Sequence, residues 1–538
     1  MSSHDHSQEE EGISTKNVAF NNEEPAQSES LLSRRQWVTR ANRHRTNLDE
    51  VEFDSRAFRH AHIIRRPHAM QHFHQQEKPK QRRLFRSNSA GSDEKEERST
   101  DNVLIQLARL DLFIDLIWVG IVANLSATFS AQAFSDSGVD QGTAFLEYFL
   151  LFMPIWRLWD YLREYGSNFY KDDIIQRNFM VWILILSVLY GINAPYAFNP
   201  DHEGESIKLL IVIYLIARGS FLIAYVLQSL FLPFLRRQVL FQIATTTAIG
   251  GIWIAAIFVP YPGKTALLIV ANAIEHPLAI LIASPVADRL LTGGWKHSPD
   301  VEHYIERIEG FFIIILGEGV FRLIEGSPSG MGLNARSGTV LTALLLYYCI
   351  HWLYFNGDQS KVYVHALRRT WWKSFLWRFF HIVIFAALLI LAASVLFLVE
   401  HPGARTSTET TTTTEAAAKR QESELLPESE VPHFTLYALW SASIALGTTI
   451  FGITIIALLN RPLDKPKTLL VNSRRIRMAP RLPAIALIVC LPLFKSLNAG
   501  SWCGVSTSIL YVVFLWEWMA GMERNWQILE PKGDGDYN

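Results

Sequence analysis

The chain has 538 residues, 49% of them hydrophobic, and its 50 Lys and Arg against 51 Asp and Glu leave a formal net charge of −1 that says little, because both signs are abundant and segregated. Its three cysteines, Cys349, Cys490 and Cys503, exclude a disulfide framework. From Leu110 onward the sequence is a series of apolar runs, each about as long as a hydrocarbon core is thick, which excludes an ordinary soluble domain.

Residues 1–108 are polar and charged and read as a disordered cytoplasmic tail. They carry the basic pairs Arg34-Arg35, Arg65-Arg66 and Arg82-Arg83, the tract HAHIIRRPHAMQHFHQQ, and the stretch RSNSAGSDEKEE around Ser87 and Ser89. The basic pairs suit anionic lipid and the serines suit phosphorylation. The histidine tract has a metal-binding composition but reads more simply as a solvated tail. The N-terminus shows no basic stretch followed by a short apolar core, so the first spanning segment is expected to act as the insertion signal.

Twelve apolar segments follow, near 110–131, 144–163, 178–197, 208–232, 238–259, 265–283, 304–325, 338–356, 379–399, 433–459, 482–499 and 503–522. In lipid every backbone polar group must be satisfied internally, and runs this continuous are helices. The expected fold is therefore all-α: a polytopic transmembrane helical bundle of about twelve helices. About nine helices lie in 109–400, the rest in 433–526, and a cytoplasmic tail covers 527–538. The segment 401–432 is a Thr-rich, acidic, non-cytoplasmic loop with a composition open to O-glycosylation. Arg236-Arg237 and the basic stretches 361–378 and 461–481 alternate with the loops AQAFSDSGVDQG, FNPDHEGES, VPYPGK and NAGSWC. Basic loops belong inside, which puts both termini in the cytoplasm.

Charges within spanning segments are rare and usually face a bundle interior or a wet cavity. In RLDLFIDLIWVGIVANLS, Asp111 and Asp115 are four apart and share a helix face near the cytoplasmic end. Arg157 and Asp160 lie one turn apart in the second segment, beside Trp156 and Trp159, which read as interfacial anchors. His303, Glu306 and Arg307 open the seventh segment. Glu318 falls about 18 Å further along its axis, near or beyond the midplane. Arg218, Glu275 and His276 sit at the middle of the fourth and sixth segments. A lone acid at mid-membrane costs about 2.5–3.5 kcal/mol to insert, so Glu318 and Glu275 call for a partner or a task. Gly317 and Gly319 allow close helix approach or local unwinding. His303 and Glu306 are one turn apart and could share a cation, which leaves metal binding open.

Several of these stretches are familiar. LDLFIDLIWVGIVANLS resembles the aromatic-rich E-L-F-F-D-L-x-F-V opening of the low temperature requirement A (LtrA) family of membrane proteins. HYIERIEGFFIIILGEG resembles that family's H-x-x-E-R-(five residues)-I-I-x-L-G-E element with the same spacing, and MPIWRLWDYLREYGSNFYKDD and IHWLYFNGD resemble its tryptophan-rich second helix and its later W-L-Y-F stretch. The resemblance is good over 109–400 and looser over the last three helices. The basic tail and Thr-rich loop look like a fungal elaboration. Matched by position, the family's acids fall on Asp111, Asp115, Glu306 and Glu318, accompanied by His303, Arg307 and Gly317. Asp111 stands where glutamate is common, and Glu309 adds a charge where the family pattern has a small residue. The resemblance implies a polar core in a helical bundle rather than a substrate.

Three functions fit. The first is a proton-coupled transporter or ion pathway, with Asp111, Asp115, Glu306, Glu318, Glu275 and His303 as relay candidates and Arg157, Arg218 and Arg307 as counter-charges. The second is a scaffold or sensor whose buried charges fix packing. The third is a metal-dependent or lipid-modifying membrane enzyme. Expected partners are membrane lipids and a small ion or solute; neither a cofactor nor nucleic acid is expected.

Overall fold

In the computed structural model the described residues are 90–136, 138–169, 174–198, 205–232, 236–282, 301–357, 360, 363–404, 431–464, 469–494 and 496–524; side chains at 90–111, 167–169, 276, 279–282 and 431–432 lie outside the description. The basic pairs, histidine tract and serines of the tail also fall outside it, as does most of the Thr-rich segment.

Each of the twelve expected segments coincides with a helix. In chain order these are α1 (Ala90–Ala133), α2 (Gln141–Phe169), α3 (Ile174–Asn193), α4 (Glu205–Phe231), α5 (Arg236–Phe258), α6 (Gly263–Ile282), α7 (Val301–Arg322), α8 (Ala335–Asn356), α9 (Trp371–Glu400) and α10 (Val431–Leu459). A short α11 (Arg474–Met478) then precedes α12 (Arg481–Cys490) and α13 (Ala499–Ala520). Among the described residues nine helices are long and apolar enough to cross a membrane.

The largest differences from the sequence reading are at the start of α1 and the end of α12. The first spanning segment is expected to start near 110, but the helix that carries it starts at Ala90. The added turns contain the run Asp-Glu-Lys-Glu-Glu-Arg, mostly good helix formers despite their polarity. At the other end, α12 stops at Cys490 and tightens into a 3₁₀ turn over Leu491–Leu493, where Pro492 has no N–H to continue the ladder.

A helix that is apolar all round belongs inside, and α9 illustrates this: 83% of its most apolar window is buried, against 17% for α5. Helix α9 packs on α10, α7 and α1, while α4, α5 and α6 pack in sequence. Where α2, α7 and α9 meet, Trp159 and Phe311 have ring centroids 4.5 Å apart, and Phe385 stands 5.3 Å from both Phe311 and Trp156. Helix α7 runs unbroken through Gly317 and Gly319. At Gly319 an added Cβ would fall 2.6 Å from the Tyr347 ring of α8, so this glycine serves close approach rather than unwinding. Two short strands, β1 (Tyr363–Val364) and β2 (Arg461–Pro462), pair antiparallel and tie the segment before α9 to the segment after α10.

Candidate functional site: a buried arginine–carboxylate network

The first of the buried acids is Asp115 on α1, only 2% exposed. Arg307 of α7 grips it with both terminal nitrogens, Nη1 to Oδ2 at 2.8 Å and Nη2 to Oδ1 at 2.9 Å, and Trp159 Nε1 donates to Oδ1 at 3.1 Å. The planar guanidinium matches the two carboxylate oxygens, which gives this pair direction as well as charge. Trp159 is fully buried and Trp156 nearly so. They are interior walls, not interfacial anchors, because α2 turns this face toward α7 and α9.

The second group lies along α2. Asp160 accepts from Arg157 Nη1 at 2.8 Å and from Arg163 Nη2 at 2.5 Å. Arg157 also donates to the Tyr161 hydroxyl at 3.0 Å. Its guanidinium lies 4.2 Å from the Tyr161 ring centre, and that of Arg218 from α4 lies 4.6 Å from the same centre. An aromatic face attracts each cation, so Tyr161 sits between two arginines and weakens their repulsion. Arg218 in turn pairs with Glu275 of α6, whose Oε1 accepts from the Tyr214 hydroxyl at 2.5 Å and whose Oε2 lies 3.4 Å from Trp253 Nε1. Helices α2, α4, α5 and α6 are thus connected, α2 to α4 through the cation–aromatic contact at Tyr161 and the rest through polar atoms.

Glu318 is buried on α7, yet its partner is neither Arg218 nor Arg307. Arg322, one turn on, donates to it through Nε at 2.7 Å and reaches the Ala123 carbonyl of α1 through Nη2 at 2.7 Å. The i, i+4 spacing of Glu318 and Arg322 was the available signal, obscured because Arg322 stands near the far end of the seventh segment, away from the other mid-membrane charges. Glu306 is exposed and His303 half-buried, so neither joins Asp115 and Arg307 in the interior. The side chains of Asp111 and His276 are among those outside the description.

Other members had weaker signals. Arg163 is three residues from Asp160, a spacing that could have been read. Tyr161, Tyr214 and Trp253 look like ordinary apolar-run aromatics. Glu147 accepts from Gln132 Nε2 at 2.9 Å. A separate buried pair, Arg481 and Glu517, joins α12 to α13 through two bonds of 2.6 and 2.8 Å; Arg481 sits at the end of a basic loop, and nothing local marks it as buried. Among the described residues no group of three or more His, Cys, Asp or Glu is placed to hold a metal ion.

A family profile described as "Bacterial low temperature requirement A protein (LtrA)" matches residues 107–515. The chain belongs to this family. The LtrA match begins just before the apolar part of α1 and ends within α13, so it takes in the arginine–carboxylate network and the last helices alike. No curated protein and no solved structure matches the chain. LtrA membership, together with the long apolar helices, makes it an integral multi-pass membrane protein in contact with lipid.

Proposed function

We propose that the protein moves a proton or a small solute across its membrane, and that exchange of partners at its buried arginine–carboxylate pairs is the working step. The observation that carries this reading is the two-fold grip of Arg307 on Asp115 between α1 and α7, walled by Trp159. Well-packed apolar residues often hold helices together as well as a buried ion pair does. Charges kept at membrane depth commonly mark ion and substrate pathways.

In this reading a proton on Asp115 or Glu275 cancels the attraction to its arginine. The freed guanidinium then accepts an anionic group or a different carboxylate, and the two helices shift. The pair acts as a two-state element whose populations a proton or solute biases. Both termini face the cytoplasm, as the basic loops suggest. A packing role is the second reading, favoured by the hydrogen bonding of the carboxylates: Asp115, Asp160, Glu275, Glu318 and Glu147 each accept from a partner.

The test is proton flux into proteoliposomes holding the full chain and a trapped pH dye, comparing wild type with Asp115→Asn and Glu275→Gln. Transport predicts flux in the wild type that falls at least tenfold in both variants while their unfolding transitions remain cooperative. Flux through the variants equal to wild type would overturn the proposal in favour of packing.

A further inference from the structure

Away from the network, a pocket of ≈330 Å³ lies where the ends of α8, α10 and α13 meet the start of α9. Its walls are aromatic: Tyr354, Phe355, Tyr363, Trp377 and the imidazoles of His365 and His381. The carboxylate comes from Glu309 of α7, which has no hydrogen-bonded or ion-paired partner among the described residues; no lysine or arginine lines the pocket there. Arginines surround the pocket, but each is bonded to another oxygen. Arg369 donates to the Leu459 carbonyl at 2.6 Å and Arg368 pairs with Glu302 at 2.5 Å. Three reach atoms of the pocket wall itself: Arg474 the carbonyls of Asn460 and Ala457, Arg477 the Ser360 hydroxyl at 3.2 Å, and Arg481 the Gly357 carbonyl at 2.6 Å while paired with Glu517.

The histidines add no positive charge. Burial, followed by the neighbouring Arg368, pushes the His365 imidazole down to about 4, and its Nδ1 accepts from the Leu367 N–H at 3.3 Å. His381 Nδ1 lies 2.6 Å from the Trp377 carbonyl, which only accepts, so Nδ1 carries the proton. Its Nε2 then accepts from the Tyr354 hydroxyl at 2.9 Å. One donor is left over: the indole N–H of Trp377, in a side chain 2% exposed, has no hydrogen-bond partner. Buried donors are rarely left this way without a ligand or other group to take them.

We infer that this pocket binds a small organic cation, an ammonium group carried beside a hydroxyl or ester oxygen. Aromatic faces and one unneutralised carboxylate are the setting that recognises an alkylated ammonium, and the Trp377 N–H is the donor for the neighbouring oxygen. The charge of the site depends on Glu309. An amino alcohol in solution and the head group of a lipid share this chemistry.

The test uses the full chain in nanodiscs of phosphatidylglycerol, titrated with choline and with its neutral isostere 3,3-dimethylbutan-1-ol by calorimetry. Choline is expected to bind at least tenfold more tightly than the isostere. Glu309→Gln is expected to abolish that preference, Glu309→Asp to retain it, and Trp377→Phe to weaken choline several-fold while leaving tetramethylammonium unchanged. Failure of choline to bind the wild type, equal binding of the isostere, or undiminished preference in a folded Glu309→Gln protein would overturn the inference. Substituting phosphatidylcholine into the nanodisc separates the two sources. A rightward shift of the choline titration assigns the site to the lipid head group, and an unchanged titration assigns it to a free amino alcohol; either supports a cation site.

Discussion

The Asp115–Arg307 region and the Trp377 pocket meet the same physical difficulty in opposite ways. Both take ionisable side chains out of water, where a lone charge is costly. The first pairs opposite charges across helices and fills the intervening space with Trp159, Phe311 and Phe385. The second holds imidazoles by backbone and tyrosine hydrogen bonds and leaves room around a single carboxylate. Pairing produces a closed region sensitive to the loss of either partner, whereas uncharged imidazoles around one unpaired carboxylate leave an open one sensitive to protons.

The sharpest way to break this contrast is at Asp115. Asp115→Asn leaves the Arg307 guanidinium buried opposite a neutral amide, and removing one partner of a buried pair typically costs about 3–5 kcal/mol. Denaturant unfolding of the detergent-solubilised protein reads this loss. Adding Arg307→Gln is expected to restore part of it, so that a double-mutant cycle gives a clear coupling energy.

A smaller effect is expected at His365. The folded-state imidazole stays neutral down to about pH 4, whereas an unfolded histidine titrates near pH 6.5. Between those values the unfolded chain binds a proton that the folded chain does not. Stability therefore falls as pH drops through this window, by on the order of 3 kcal/mol in all. His365→Asn keeps an acceptor for the Leu367 N–H and removes the proton site, so its melting temperature is expected to vary less over that range than that of the wild type.

The smallest effect sharpens the comparison by contrast. Glu306 is the immediate neighbour of Arg307 on α7, yet it is exposed. Glu306→Gln is expected to shift unfolding by no more than about 0.5 kcal/mol. A loss as large as that at Asp115 would mean that Glu306 has a buried partner in the membrane.

The helices were legible in the sequence because continuous apolar length is a strong and local signal; all twelve segments fall on helices, and only the ends moved. Interior charges were legible as residue types, since Asp115, Arg307, Arg218 and Glu275 stand out in apolar runs. Their pairing was less so. Asp115 and Arg307 are separated by 192 positions, and no local spacing says which of several arginines meets which acid. Arg218 with Glu275 could be anticipated from their similar depth, but Glu318 was given distant candidates when its partner was one turn away. Trp156 and Trp159 suited an interfacial role by composition. Only the rotation of α2 against α7 and α9 reveals that they face inward. The pocket was hidden for the same reason: Glu309, Tyr354, Trp377 and Ala457 come from four helices and become one surface only after packing.

The β1–β2 pair has a consequence for how the chain could be divided. Its strands lie on opposite sides of the long connection between α9 and α10, and those two helices also pack side by side. Arg369 and Asn460 fasten the same junction from both directions, the arginine to the Leu459 carbonyl and the asparagine to the Ala366 N–H at 3.0 Å. The peptide linkage across 405–430 therefore duplicates a noncovalent attachment. Expressed as two separate polypeptides divided within that linkage, the protein has the contacts needed for fragment complementation, with the strand register setting how the halves meet.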